Sequence, residues 1–440
     1  QAWASSAMVR HALQGLLCWL MIQGGRPIPL KNPLEARDFL AEESLVVTDT
    51  YYPLSRIPLD RESLQTSQLQ DGLQLRQSSP GTAPLRPIPK QTQYLMSVGI
   101  GGKNWSMIPD TGSADTWLMS STFKCLDRSH QQQDQIACNF GPSYPGNFSG
   151  GRIDEHMNIS YGGGDSLNGD MGYADITVAG IAVQKQQMSL VTSADIRGNG
   201  IFSGILGLGM RGLTTSYTGS DPSTDSPATA KEYAPLVETM SKKIAPLFSV
   251  AMSRDEGRSF ISFGGVPPNV TTGEFATTPI RQMSVNGGPK RYMYYGIMPD
   301  NMRVSNAETN QTWPKPAGMV DDTGTTLNYF PEDVARTIND LFVPPAEYAG
   351  SGTYAVRCDA VPPKVEIGIG GKAIPIHPSN LILPETKQTT ADGDYCISGV
   401  AANVGLSILG DAFLEELLVV FDVSDKKQMK FAQRTDKTSQ

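Results

Sequence analysis

From about residue 90 to its end the chain runs in short apolar stretches bounded by Gly, Pro and Asn, and period-two alternation outweighs helical periodicity. YLMSVGI at 94–100 opens the series as a strand. DITVAGIAV at 175–183 reads as a hairpin turning at Ala179 and Gly180, and VEIGIGGKAIPI at 365–376 has the same character. One helix is well marked: Pro331 stands at its first turn, and Val334, Ala335, Ile338, Leu341 and Phe342 share a face before Pro344 and Pro345. The pattern predicts a mostly β protein.

The strands also carry a repeat. MIPDTGSADTW at 107–117 and MVDDTGTTLNY at 319–329 each place Asp-Thr-Gly after an apolar run, 212 positions apart. Ile-Leu-Gly then recurs at Ile205 and Ile408, 95 and 86 residues after Asp110 and Asp322, which favours an internal duplication. An Asp ending an apolar strand suits burial if a tight Thr-Gly turn donates hydrogen bonds to it, and Gly112 and Gly324 permit such a turn. Two lobes related by a pseudo-two-fold axis would bring both aspartates to one point, where one carboxyl keeps a proton while the other is charged. Such a pair activates water against a carbonyl and needs no metal, cofactor or covalent intermediate.

On these residues the sequence resembles the pepsin-like aspartic endopeptidases over residues 90–434. The resemblance implies a bilobal fold of two β-barrel-like lobes with the active-site cleft between them. DTGSADTW matches the first active-site signature, with Asp110 catalytic, Thr111 and Gly112 in its loop, Ser113 its hydrogen-bond partner and Trp117 beneath the flap. DTGTTL matches the second, giving Asp322, Thr323, Gly324 and the partner Thr325. ISYGGGDS at 159–166 is similar to the flap hairpin, with Tyr161 closing over substrate, Gly162 and Gly163 at the tip, and Asp165 either touching substrate or solvated in the turn. The implied activity is hydrolysis of polypeptides at acidic pH. The competing readings are a catalytically silent binding or inhibitor protein of the same fold, and a carbohydrate-binding β protein.

The amino-terminal segment reads as an address. Arg10 and His11 precede the apolar stretch 12–22, the pattern of a secretory leader ending near residue 25, with seven odd residues ahead of Met8. Residues 26–88 read as propeptide and linker, the latter rich in Gln, Ser and Pro; RPIPLK at 26–31 is similar to the opening strand of family propeptides, which implies that this segment inhibits the enzyme until activation. Residues 89–275 then form the first lobe and 276–440 the second. Cys18 leaves with the leader, and sequential pairing of Cys125 with Cys138 and Cys358 with Cys396 is expected; the second pair also matches the family's usual second-lobe disulfide. Sequons at Asn104, Asn147, Asn158, Asn269 and Asn310 and a fungal-looking linker fit a secreted eukaryotic product, or one delivered to an acidic vacuole. The net charge of -8, without a basic cluster, argues against nucleic acid, and no apolar tail follows FAQRTDKTSQ to anchor the chain in a membrane, so a soluble monomer is expected.

Several residues depart from the family pattern. Residues 26–88 hold seven Lys and Arg against eight Asp and Glu, so no lysine plug for the dyad stands out, Lys90 being a candidate just beyond. Asp321 stands where an apolar residue is expected, either solvated or close enough to raise the dyad's apparent pKa. Pro109 removes a backbone donor and requires an unpaired edge in its strand, and VGIGGKNWS lacks the usual Gly-Thr-Pro-x-Gln. His130, His156 and His377 form no metal-spaced cluster and read as surface-loop residues.

Overall fold

A computed structural model describes residues 81–84, 86–87, 93–160, 166–255, 257–268, 270, 272–284, 289–403 and 405–435. Residues 1–80, which hold the expected leader and most of the expected propeptide, Lys90, the expected flap residues Tyr161, Gly162, Gly163 and Asp165, and Asn269 lie outside the described residues.

The first half of the chain builds an eleven-stranded sheet that closes on itself. Tyr94–Ile100 pairs with Lys103–Asp110 on one side and with Ser166–Val178 on the other. The circuit continues from Lys103–Asp110 through Gly204–Gly207, Trp117–Leu126 and Ile181–Ala194 back to Ser166–Val178. Alternate apolar residues of these strands point inward, so Val98, Met107, Leu118, Ile176 and Leu206 are all buried. The hairpin at Ala179 and Gly180 forms as expected, with φ of 50° and 76°, because a two-residue turn matched to strand twist needs positive φ at both positions. Gly370 and Gly371 repeat this at 54° and 77°.

The repeat in the sequence is a repeat in the fold. Gly204–Gly207 runs parallel to Lys103–Asp110 and antiparallel to Trp117–Leu126. In the second half Ser407–Leu409 runs parallel to Met319–Asp321 and meets Asn328–Phe330 antiparallel. Each Ile-Leu-Gly segment is therefore wedged between the strand entering an Asp-Thr-Gly loop and the strand leaving it. A six-stranded sheet draws on both halves: Thr82–Pro84, Phe260–Phe263, Leu247–Ala251, Leu417–Asp422, Gln428–Gln433 and Ala276–Pro279. Its core stacks Phe248 on Phe421 with ring centroids 4.6 Å apart, and Tyr295 meets Phe421 edge-on.

The marked helix spans Glu332–Asp340, with Val334, Ala335 and Ile338 buried. Pro331 is its N-cap rather than a first-turn residue: its ψ of 147° is extended, and its carbonyl accepts from Ala335 N at 2.9 Å. Both disulfides form as the sequential pairing predicts, closing separations of 13 and 38 residues. Pro109 sits where expected: the ladder to Tyr94–Ile100 ends at Met107, and the Pro109 carbonyl, on the side away from Gly204–Gly207, accepts from Thr323 Oγ1 at 2.7 Å. Among the described residues no helix is long and apolar enough to cross a membrane.

Candidate active site

Asp110 ends its strand and Asp322 follows Met319–Asp321, so both carboxylates start where a sheet gives way to a loop. Each is held by its own loop in the same way. Gly112 N donates to Asp110 Oδ1 at 2.8 Å, and Ser113 Oγ donates to Oδ2. Gly324 N donates to Asp322 Oδ1 at 2.8 Å, and Thr325 Oγ1 donates to Oδ2 at 2.6 Å.

The two loops also hold each other. Thr111 N donates to Thr323 Oγ1 at 3.1 Å, and Thr323 N donates to Thr111 Oγ1 at 3.0 Å. Each hydroxyl passes its own proton across the interface, Thr111 Oγ1 to the Asp321 carbonyl at 2.9 Å and Thr323 Oγ1 to that of Pro109. Four buried hydrogen bonds thus fix one aspartate loop against the other, a reciprocal exchange that requires a hydroxyl at both positions.

The glycines donate to the carboxylates as the sequence implies, and their lack of a side chain has a second consequence. Neither Gly112 nor Gly324 has positive φ, so the turn alone does not demand glycine. A Cβ on Gly112 would lie 2.5 Å from the Asp322 carboxylate, and one on Gly324 would lie 2.6 Å from Asp110 Oδ1. The missing methyl groups let each carboxylate rest on the opposite loop, which brings the pair together. Burial pushes Asp110 well above the usual carboxylate range, the Asp322 charge raises it further, and the bond from Ser113 opposes both. A hydrogen bond with Asp322 raises it again, the behaviour expected of two carboxyls that titrate as a unit.

Trp117, expected beneath the flap, is wholly buried and meets Phe140 edge-on, with centroids 6.4 Å apart. Asp321 is also wholly buried, which rules out the solvated alternative. Neither of its carboxyl oxygens has a hydrogen-bond partner among the described residues, and burial, then the Asp322 charge, drives its pKa well up. Its strand runs inside a five-stranded sheet, so both of its edges are paired.

Other residues of the site were not read from the sequence. Tyr294 is raised well above the ordinary phenol range by burial and then by the charges of Asp322 and Asp110. Asp411, directly after the second Ile-Leu-Gly, is buried with Oδ1 unpartnered and is pushed up by burial, Glu415 and then Asp322. Its position after that repeat was the available signal. Asp115, five residues after Asp110, is buried and accepts from Tyr233 Oη at 2.5 Å and Thr215 Oγ1 at 2.7 Å. Among the described residues no cluster of His, Cys, Asp and Glu has the arrangement of a metal site.

Comparison with known proteins agrees with this geometry. The family model described as eukaryotic aspartyl protease matches residues 93–434. The chain is 31% identical to a probable aspartic-type endopeptidase of Aspergillus fumigatus over 93% of this chain and 94% of that protein. It is 27% identical to penicillopepsin-1 of Penicillium janthinellum over 80% of this chain and 98% of the relative, and 26% identical to rhizopuspepsin-1 of Rhizopus niveus over 78% and 79%. The duplicated, mostly β architecture is the bilobal pepsin-like fold that the sequence implied. This chain belongs to the eukaryotic aspartyl protease family.

Proposed function

We propose that Asp110 and Asp322 are the catalytic pair of an endopeptidase that hydrolyses polypeptides at acidic pH. The observation that carries this reading is the seating of each carboxylate against the other loop's glycine. The charged member of the pair takes a proton from water as its oxygen attacks the scissile carbonyl carbon, while the protonated member gives its proton to the carbonyl oxygen. In the tetrahedral species that results, the roles reverse: the C–N bond breaks, the amine leaves with a proton, and the pair again holds one. Ser113 and Thr325 keep each carboxyl oriented, and the threonine exchange keeps the two in register. No metal or cofactor enters these steps.

The remaining roles follow the family resemblance. Tyr161, Gly162, Gly163 and Asp165 are assigned to the flap over substrate, with Trp117 supporting it. Residues 1–25 are assigned as leader, 26–88 as an inhibitory propeptide with its linker, 89–275 and 276–440 as the two lobes, and the product as a secreted monomer. Incubation with a denatured protein substrate at about pH 3 to 5 tests the reading. Cleavage that a hydroxyl-containing transition-state mimic blocks is expected; no cleavage, or cleavage indifferent to the mimic, would overturn it.

A further inference from the structure

Of the three histidines among the described residues, His130 and His377 are exposed as the sequence suggested, but His156 is buried. It lies within the strand Arg152–Ser160, and Ser216–Thr218 pairs alongside and covers it, with Tyr217 opposite His156 and their rings stacked at 5.8 Å. The covering strand lies about 60 residues downstream, so local pattern could not reveal the burial.

The surroundings of the ring specify its protons. Nδ1 stands 2.8 Å from the Gly219 carbonyl, which can only accept, so Nδ1 carries a hydrogen. Nε2 stands 2.9 Å from Asp225 Oδ1, off the axis of a hydrogen bond, and neither atom has another hydrogen-bond partner among the described residues. A lone pair on Nε2 would face that carboxylate oxygen, so the arrangement fits an imidazolium paired with Asp225. Asn158 Nδ2 donates to the other oxygen of Asp225 at 2.7 Å, a second tie between the same two segments. Asp170, opposite His156 in the neighbouring strand, pairs with Arg152. On its own strand Glu155 accepts from Ser216 Oγ at 2.6 Å and Gln187 Nε2 at 2.9 Å.

The segment thus pinned meets the first aspartate loop at both of its ends. Thr215 and Tyr233 bracket it, and both donate to Asp115 in the loop that carries Asp110 and Ser113. Residues 215–233 therefore form a strut, clamped to Arg152–Ser160 along its middle and to the first aspartate loop at both ends. We propose that His156 is a positioning residue for the peptidase reaction, holding this strut so that Asp115, and through it the Asp110 loop, keeps its place. This inference rests on the catalytic assignment above.

The test uses the full chain after acid activation, with active sites counted by titration with the transition-state mimic. His156→Gln is expected to lower kcat by about threefold to tenfold with KM unchanged, and Tyr233→Phe to act in the same direction. The double variant should be no slower than the slower single one, since both changes release one strut. Asp225→Asn, which keeps the shape and removes the charge, should reproduce the His156→Gln effect and carries the test if that variant does not fold. An unchanged kcat in a folded His156→Gln or Asp225→Asn protein, or effects that multiply in the double variant, would overturn the proposal. Asp110→Asn run alongside separates the two readings, because residual cleavage there would defeat the catalytic assignment, whereas a normal His156→Gln would defeat only the strut.

Discussion

Replacing Asp321 by Asn probes the least expected buried group in the molecule. The carboxyl is fully enclosed, lacks hydrogen-bond partners among the described residues and adjoins Asp322 in sequence, so the fold accommodates its neutral form far better than its charged one. Its pKa is raised in the folded state, whereas in the unfolded chain it titrates near the ordinary value of about 3.9. Below that value both states are protonated and the stabilising contribution is fully present. Above it the unfolded chain releases a proton that the native state retains, so the parent protein loses about 1.4 kcal/mol of stability per pH unit until the folded group also ionises. Asn cannot ionise and is close in shape to the protonated acid, so the two proteins should agree within about 1 kcal/mol at the acid end. From about pH 4 to pH 6 the variant should gain up to roughly 3 kcal/mol over its parent. Urea unfolding at several pH values measures this, with both proteins carrying Asp110→Asn to prevent self-digestion. Parallel stability curves, or a parent that gains on the variant as pH rises, would refute the reasoning. In the otherwise intact enzyme Asp321→Asn should keep most of the cleavage activity and Asp322→Asn should lose it.

Thr111→Val removes a hydroxyl that serves the Asp321 carbonyl and the Thr323 amide, leaving two buried backbone groups unpaired. It should cost about 2 to 4 kcal/mol and lower the melting temperature, while Thr111→Ser should largely restore both stability and kcat. Gly324→Ala puts a methyl group 2.6 Å from Asp110 Oδ1, so the carboxylate must move, and kcat should fall about a hundredfold or more with the fold retained by circular dichroism. Replacing Cys358 and Cys396 together by Ser opens a 38-residue separation and should destabilise the protein by about 4 kcal/mol in chain-entropy terms, read from denaturant midpoints.

Features set by neighbours in sequence were readable before the structure. The turns at Ala179–Gly180 and Gly370–Gly371 impose φ values that only a few residue types accept, and the helix at Glu332–Asp340 announces itself by its apolar face. The Asp-Thr-Gly loops stand out because their chemistry is local and occurs twice. What escaped depends on distant contacts: Asp115 is satisfied by Tyr233 across 118 positions, and Tyr94 donates to Glu415 across 321. His156 looked like a loop residue for the same reason, its cover arriving from Ser216–Thr218. The space that Gly112 leaves is not visible in its local sequence because the carboxylate that needs it belongs to the other loop.

The account rests on Asp110 and Asp322 acting as one unit. The most direct measurement is kcat/KM for peptide cleavage at acidic pH by Asp110→Asn, Asp322→Asn and the double variant, each confirmed as folded. Either single substitution should abolish nearly all activity, and the double variant should be no worse, because half of a water-activating pair does no more than none. Substantial cleavage by either single variant, or losses that multiply in the double one, would contradict the shared role.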